Sequence, residues 1–149
     1  MDRIEYGRCA DPGHWLKQIR RCRWRSGKYL YELLSTDRLE ERAGPAPKVL
    51  LLTKGRRLLS FGVLMEQKYD VASRLSPWLG FLYTFPCFRR KRLAGELIRW
   101  ACELTRQSGR DHLYLSTKHR GLYERYGFSP IGTVTDWRGE EQLLYSRQV

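Results

Sequence analysis

One stretch limits the possible folds more than any other: Leu82-Tyr83-Thr84-Phe85-Pro86-Cys87-Phe88, then Arg89-Arg90-Lys91-Arg92, then Leu93-Ala94-Gly95-Glu96-Leu97. An apolar run stops at a proline, crosses four consecutive cations and enters a segment of helical periodicity, so the order is strand, turn, helix. Leu93, Leu97, Trp100, Ala101 and Leu104 share one face, Arg92, Glu96, Arg99, Glu103 and Arg106 the other, and Ser108-Gly109 ends the pattern. The first turn of a helix leaves N–H groups unpaired and carries a partial positive charge. With four cationic side chains around it, this point suits an anionic phosphate.

Downstream, Leu122-Tyr123-Glu124-Arg125-Tyr126-Gly127-Phe128 adds a Tyr-x-x-x-Gly-Phe pattern at Tyr123, Gly127 and Phe128. Together the two motifs resemble the acyl-CoA-binding core of the GNAT family of N-acetyltransferases, over residues 48–148. The diphosphate loop of that family reads Arg or Gln, two residues, Gly, one residue, then Gly or Ala. Here Arg89, Arg92 and Ala94 take those places, so an arginine stands where the first glycine is usual. Its side chain crowds a backbone that must approach a phosphate, yet arginine suits an ordinary helical conformation and adds charge.

The resemblance implies an α/β (α+β) fold with a mixed, mostly antiparallel central sheet flanked by helices. It implies acetyl-CoA as cosubstrate and no metal. Backbone N–H groups of Arg90, Lys91, Arg92, Leu93 and Ala94 would face the coenzyme diphosphate, with Arg89 and Arg92 closing on it. The pantetheine arm would lie beside Leu82, Tyr83 and Thr84, and Ser116 sits where many relatives carry a coenzyme-contacting asparagine. Tyr123 matches the tyrosine that commonly serves as general acid. Its other reading is a packing aromatic like Tyr126 or Phe128.

Length and composition point to a single globular domain. The 149 residues suit one domain spanning 1–149, with 42% hydrophobic and 13% aromatic residues arguing against disorder. No apolar run approaches the ~20 residues that a bilayer span requires, and the N-terminus lacks a signal-peptide core. A cytoplasmic protein with no membrane partner is the expectation, as monomer or homodimer. Cys9, Cys22, Cys87 and Cys102 form no C-x-x-C pair and read as free, mostly buried thiols.

The net charge of +12 is uneven. Residues 14–28 carry Lys17, Arg20, Arg21, Arg23, Arg25 and Lys28 without an acid, and residues 86–110 carry seven cations against Glu96 and Glu103. Such concentration points to a polyanionic ligand, which is a coenzyme, an acidic substrate or RNA. The second cluster is read as the coenzyme site. The first leaves open acetylation of an RNA-linked amine such as aminoacyl-tRNA, or a basic RNA-binding module without catalysis.

In chain order, Ile4–Gly7 reads as a short strand broken by Pro12-Gly13, residues 14–23 as a helix, and a second helix follows Ser26-Gly27. Residues 40–47, with two prolines, read as a loop. Val49–Thr53 and Leu58–Glu66 form a hairpin across Lys54-Gly55-Arg56, and 67–76 reads as a polar loop. Pro77-Trp78 opens the strand ending near Thr84; Leu113–Leu115 is a strand, Lys118–Tyr126 a short helix, and Phe128–Thr135 and Leu143–Tyr145 the last strands.

Acyl transfer from a thioester to an amine needs the diphosphate neutralised, the carbonyl polarised, the amine freed of a proton and the thiolate given one. For the third task Glu66 and Asp70 are the nearest acids, and a water chain would serve as well. The acceptor is a small-molecule, peptide or protein amine of unspecified identity. His14, His112 and His119 form no triad or ligand pattern.

Overall fold

The structure, a computed structural model, describes residues 1–149. Its elements are β1 (Asp2–Glu5), α1 (Pro12–Arg20), α2 (Arg25–Ser35), α3 (Leu39–Ala43), β2 (Lys48–Lys54), β3 (Arg57–Met65), β4 (Trp78–Thr84), α4 (Leu93–Gln107), β5 (His112–Thr117), β6 (Ser129–Thr135) and β7 (Glu141–Gln148). The strands form one sheet in the order β1-β2-β3-β4-β5-β7-β6, antiparallel at every junction except β4 with β5. This is the mixed, mostly antiparallel sheet flanked by helices that the sequence implies. No helix is long and apolar enough to cross a membrane.

The sheet separates two cores, and β2 shows how. Successive side chains of a strand point to opposite faces. Val49 and Leu51 join the layer under α1 and α2 with Trp15, Ile19, Leu30 and Phe61, whereas Leu50 and Leu52 join the layer under α4 with Leu97, Ile98 and Leu113. A run that is apolar at every position is therefore a strand covered on both faces, which is what the sequence predicts for it.

Five elements differ from the sequence reading. The first strand starts at Asp2 and ends at Glu5, and Tyr6–Arg8 form a 3-10 turn where the expected strand would continue. Pro12 starts α1 instead of breaking the chain, because proline at a first helical position gives up an N–H that has no partner anyway; Asp11 caps the end by accepting from the His14 N–H at 3.3 Å. Residues 40–43 of the expected loop belong to the helical turn α3, held by Arg38 donating to Glu41 at 3.1 Å and closed by Gly44 at φ 80°. The expected helix over 118–126 shrinks to a 3-10 turn at Tyr123–Tyr126 that Gly127 ends at φ 85°. The buried stripe of α4 is Leu93, Leu97, Ile98, Ala101, Cys102 and Thr105. Trp100 lies beside that stripe, under the Arg3 guanidinium at 5.5 Å.

Cys22 and Cys102 are buried, Cys9 is half-buried and Cys87 is exposed, all as free thiols. Gly27 lies inside α2 against Cys22, where a Cβ would run into the sulfur.

The feature that shapes the site lies in β4. Val63 pairs with Gly80 and Phe61 with Tyr83, so Gly62 alone faces both Phe81 and Leu82. This is a β-bulge, and Phe81 sits in it at φ 53°. Bulky residues rarely adopt that conformation, and a bulge bends the strand that carries it. On its other side β4 meets β5 at a single register pair, Trp78 with Tyr114. Beyond that pair the two parallel strands share no ladder, and the sheet opens.

Candidate active site

The opening between β4 and β5 is a cavity of about 1210 Å³ that reaches both faces of the sheet. Leu82, Tyr83, Thr84, Arg89, Ser116 and Tyr123 line it, so six of the residues singled out in the sequence for coenzyme and catalysis are brought together. Ser116 Oγ is buried there without a hydrogen-bond partner.

Arg89 folds back over the strand end. Its Nε donates to the Thr84 carbonyl at 3.0 Å, and its guanidinium lies 5.6 Å from the Tyr83 ring centroid. Trp24 stacks on the same ring, at 5.7 Å and 9° between planes. Arg90, Lys91 and Arg92 stay exposed outside the cavity, around the start of α4. Leu93 buries its side chain in the α4 core and Ala94 is half-buried, which leaves these two only backbone to offer a ligand. No side chain caps this helix end.

Arg92 does not take the ordinary helical conformation anticipated for it. It stands at φ 62°, ψ 25°, and Arg90 at φ 65°, both left-handed. This geometry explains why glycine is usual at that place: left-handed backbone costs other residues ~1–2 kcal/mol. Arg92→Gly is accordingly expected to raise the unfolding free energy by about 0.5–1 kcal/mol once the extra chain entropy of glycine is subtracted. Urea denaturation of the two proteins measures this, and an unchanged or lowered midpoint would contradict the strain.

Tyr123 packs edge to face on Phe128 at 6.2 Å and lies near Tyr145 at 6.4 Å. Burial pushes its phenol up to about 12, with Tyr126 adding to the shift. Tyr126 instead turns to α4, where its ring would lie 3.1 Å from a Cβ on Gly95. Gly95 thus lets the Tyr-x-x-x-Gly-Phe segment dock on the first turn of the helix.

On the α1 and α2 side the cavity wall is aromatic. Tyr29, Tyr69 and Trp137 have centroids 5.5–5.9 Å apart, and Tyr69 stacks on Phe81 at 4.2 Å. Beneath them Lys68 Nζ donates to Asp70 Oδ1 at 2.6 Å, both side chains buried, with the ammonium 4.2 Å from the Tyr69 ring. Gln142 Nε2 bridges from Asp70, at 3.4 Å, to Asp136, at 2.9 Å. Asp136 also accepts the N–H groups of Arg138 and Glu140. Burial lowers the Lys68 pKa, and Asp70 opposes that shift.

Asp70 therefore lies in the cavity wall, already paired, whereas Glu66 is not among the lining residues. Glu66 accepts from Ser76 Oγ at 2.7 Å and from Arg110 at 2.6 Å, and the Arg110 bond holds its carboxyl below the usual range. Of the basic segment 14–28, Arg23, Arg25 and Lys28 line the cavity; Lys17, Arg20 and Arg21 do not. Lys68, Gln142, Trp24 and the Tyr29, Tyr69, Trp137 cluster escape a reading by motif. They come from four separate segments with no common spacing, and Lys68 looks like any polar loop lysine until the fold covers it.

The family model described as the acetyltransferase (GNAT) family matches residues 16–128. A search of curated proteins finds no match. Among solved structures, an aminoglycoside 6'-N-acetyltransferase complexed with coenzyme A aligns with TM-score 0.71 at 14% identity, over 99% of this chain and 97% of that one. The aminoglycoside 6'-N-acetyltransferase from Enterococcus faecium gives 0.68 at 13%, over 99% and 97%. An acetyltransferase of the GNAT family from Staphylococcus aureus Mu50 gives 0.63 at 15%, over 99% and 98%. At these identities the structures speak for the fold; the family match covers well over half of the sequence. That family match makes the assignment: the chain belongs to the GNAT family of acetyltransferases.

Proposed function

We propose that residues 1–149 act as one N-acetyltransferase domain that moves an acetyl group from acetyl-CoA to a primary amine. The observation that carries this reading is the gap between β4 and β5, with a bulge at Phe81 on one wall and the uncapped, cation-ringed start of α4 at one end. A solved structure of similar fold is described as complexed with coenzyme A, in keeping with this reading.

The residues present fit that cosubstrate. An open strand edge at Leu82–Thr84 matches the amide-bearing pantetheine arm, since main-chain groups pair with an added extended chain as in a sheet. Ser116 Oγ is a buried polar atom in need of a partner on the facing wall. Backbone N–H groups of Arg90–Ala94 and the side chains of Arg89 and Arg92 suit the diphosphate.

Acetyl-CoA supplies the acyl group as an activated thioester. The chain supplies fixed backbone dipoles at the bulge to polarise a carbonyl, and these need no particular side chain. Tyr123 holds a proton at its phenol oxygen for the departing sulfur. Its raised pKa keeps it protonated, and the same apolar surroundings raise the basicity of a thiolate beside it. Asp70, held by Lys68 in a buried pair, is not free to take the proton of the amine, which leaves that task to a water chain.

Calorimetric titration with CoA, followed by thiol release from acetyl-CoA across a panel of amines, tests this directly; absence of CoA binding would remove the reading. Arg89→Ala with Arg92→Ala is expected to weaken CoA binding by about 1.5–3 kcal/mol for each charged hydrogen bond lost. A pantetheine fragment without phosphates should bind both proteins alike. Equal losses for CoA and the fragment would show that these arginines do not hold phosphate.

A further inference from the structure

The cavity wall carries more cations than its acids, Glu32, Asp70 and Asp136, can balance. Arg23, Arg25, Lys28 and Arg138 line its α2 side, and none of them forms an ion pair within the chain. The carboxylates there are mostly spent. Asp70 is taken by Lys68, and Asp136 by Gln142 and two backbone N–H groups, which leaves Glu32 as the free acid of the lining. Nor are these cations required by a diphosphate, because Arg90, Lys91 and Arg92 stand around the start of α4, outside the cavity.

The first turn of α2 adds to the excess. Its N-cap, Trp24, offers no side-chain acceptor, so the partial positive helix end opens toward Arg25 and Ser26 in the cavity wall. Ser26 Oγ receives the Tyr69 hydroxyl at 3.2 Å, which places this turn beside the aromatic cluster. All four cations are exposed, so they act by long-range repulsion of a lone ammonium group, and more so of a polycation, an effect that is strongest at low salt.

We infer that the acceptor, within the acetyl transfer proposed above, is a small amine that carries an anionic group, carboxylate or phosphate, on a planar body. The anion meets Arg25 and Arg138, the plane lies against Tyr29 and the half-exposed Trp137, and the amine is left facing the bulge at Phe81. Flat rings stack on such a cluster, and an anion placed between unpaired guanidinium groups forms charge-assisted hydrogen bonds.

The test compares three acceptors that share one ring and one amine: tyrosine with a carboxylate, tyramine phosphate with a phosphate, and tyramine with neither. Thiol release from acetyl-CoA is measured with the full chain at low and high salt, together with kanamycin as a polycation. At least one anionic member is expected to exceed tyramine in kcat/KM by about tenfold or more, with the advantage shrinking at high salt. Which of the two leads tells a carboxylate beside the amine from a phosphate at the far end of the ring. Arg25→Glu with Arg138→Glu should reverse the preference toward tyramine while CoA binding by calorimetry stays intact. Equal or better turnover of tyramine or kanamycin overturns the inference. So does failure of both anionic members to react or to shift the melting temperature of a protein that still binds CoA, an outcome that leaves the acetyl-CoA reading standing. Failure to bind CoA removes both.

Discussion

Tyr123→Phe is expected to lower kcat roughly 10²-fold and to leave CoA affinity and thermal stability nearly unchanged. A phenol that gives its proton to the departing sulfur meets charge that exists only late in the reaction, so losing the hydroxyl spares ground-state binding and strikes the chemical step. Packing should survive, because the contacts with Phe128 and Tyr145 are made by the ring, which phenylalanine keeps. The effect belongs at the lower end for general acids, since water reaches an open cavity and partly substitutes. Tyr126→Phe is the control: that ring faces Gly95 on α4, and its change should be almost silent. Full kcat in Tyr123→Phe, under conditions where chemistry limits turnover, would make Tyr123 a packing residue.

Asp70→Ala should cost about 3–5 kcal/mol of stability, because it leaves the Lys68 ammonium buried without its carboxylate. Removing both charges, as Lys68→Met with Asp70→Ala, should recover much of that loss. The pH dependence has a definite sign. Burial already lowers the Lys68 pKa and Asp70 resists it, so deleting Asp70 lowers it further. A lysine whose folded pKa lies below its unfolded value binds fewer protons when folded, and stability then rises with pH between the two values. The variant should be weakest below the folded-state pKa and recover as pH climbs toward the ordinary lysine value of about 10.4. Urea unfolding over a pH series measures it. A loss under ~1 kcal/mol that does not vary with pH would mean that the pair is not dry.

What could be read from the sequence follows from where periodicity survives. α4 and the β2–β3 hairpin were legible because Leu93, Leu97 and Ala101 repeat every turn and Val49–Leu52 runs unbroken between two turn signals. That the Arg89-to-Ala94 segment precedes α4 and that Tyr123 comes to the same cavity as Arg89 could be anticipated because a motif keeps its spacing whatever surrounds it. The aromatic wall of the cavity was not legible. Tyr29, Lys68, Trp137 and Gln142 meet only through the pairing of Val71 with Asp136 and the Trp137 N–H donated to the Asp70 carbonyl, both long-range events in segments read as loop or turn. Glu66 shows the converse. It stands at a strand end like a catalytic acid, yet Arg110, far along the chain, claims it for an ion pair.

The single register pair between Trp78 and Tyr114 has a mechanical side. It makes the sheet two panels, β1 to β4 and β5 with β7 and β6, hinged at one point and otherwise joined through α4 and the loops. An extended ligand laid along Leu82–Thr84 acts as a splint across that seam. Binding therefore tightens not only the strands that touch the ligand but the hold of the last three strands on the rest. Amide protons of β5 and β7 should exchange more slowly once the seam is filled, since whatever binds only the closed sheet must first leave before the panels part.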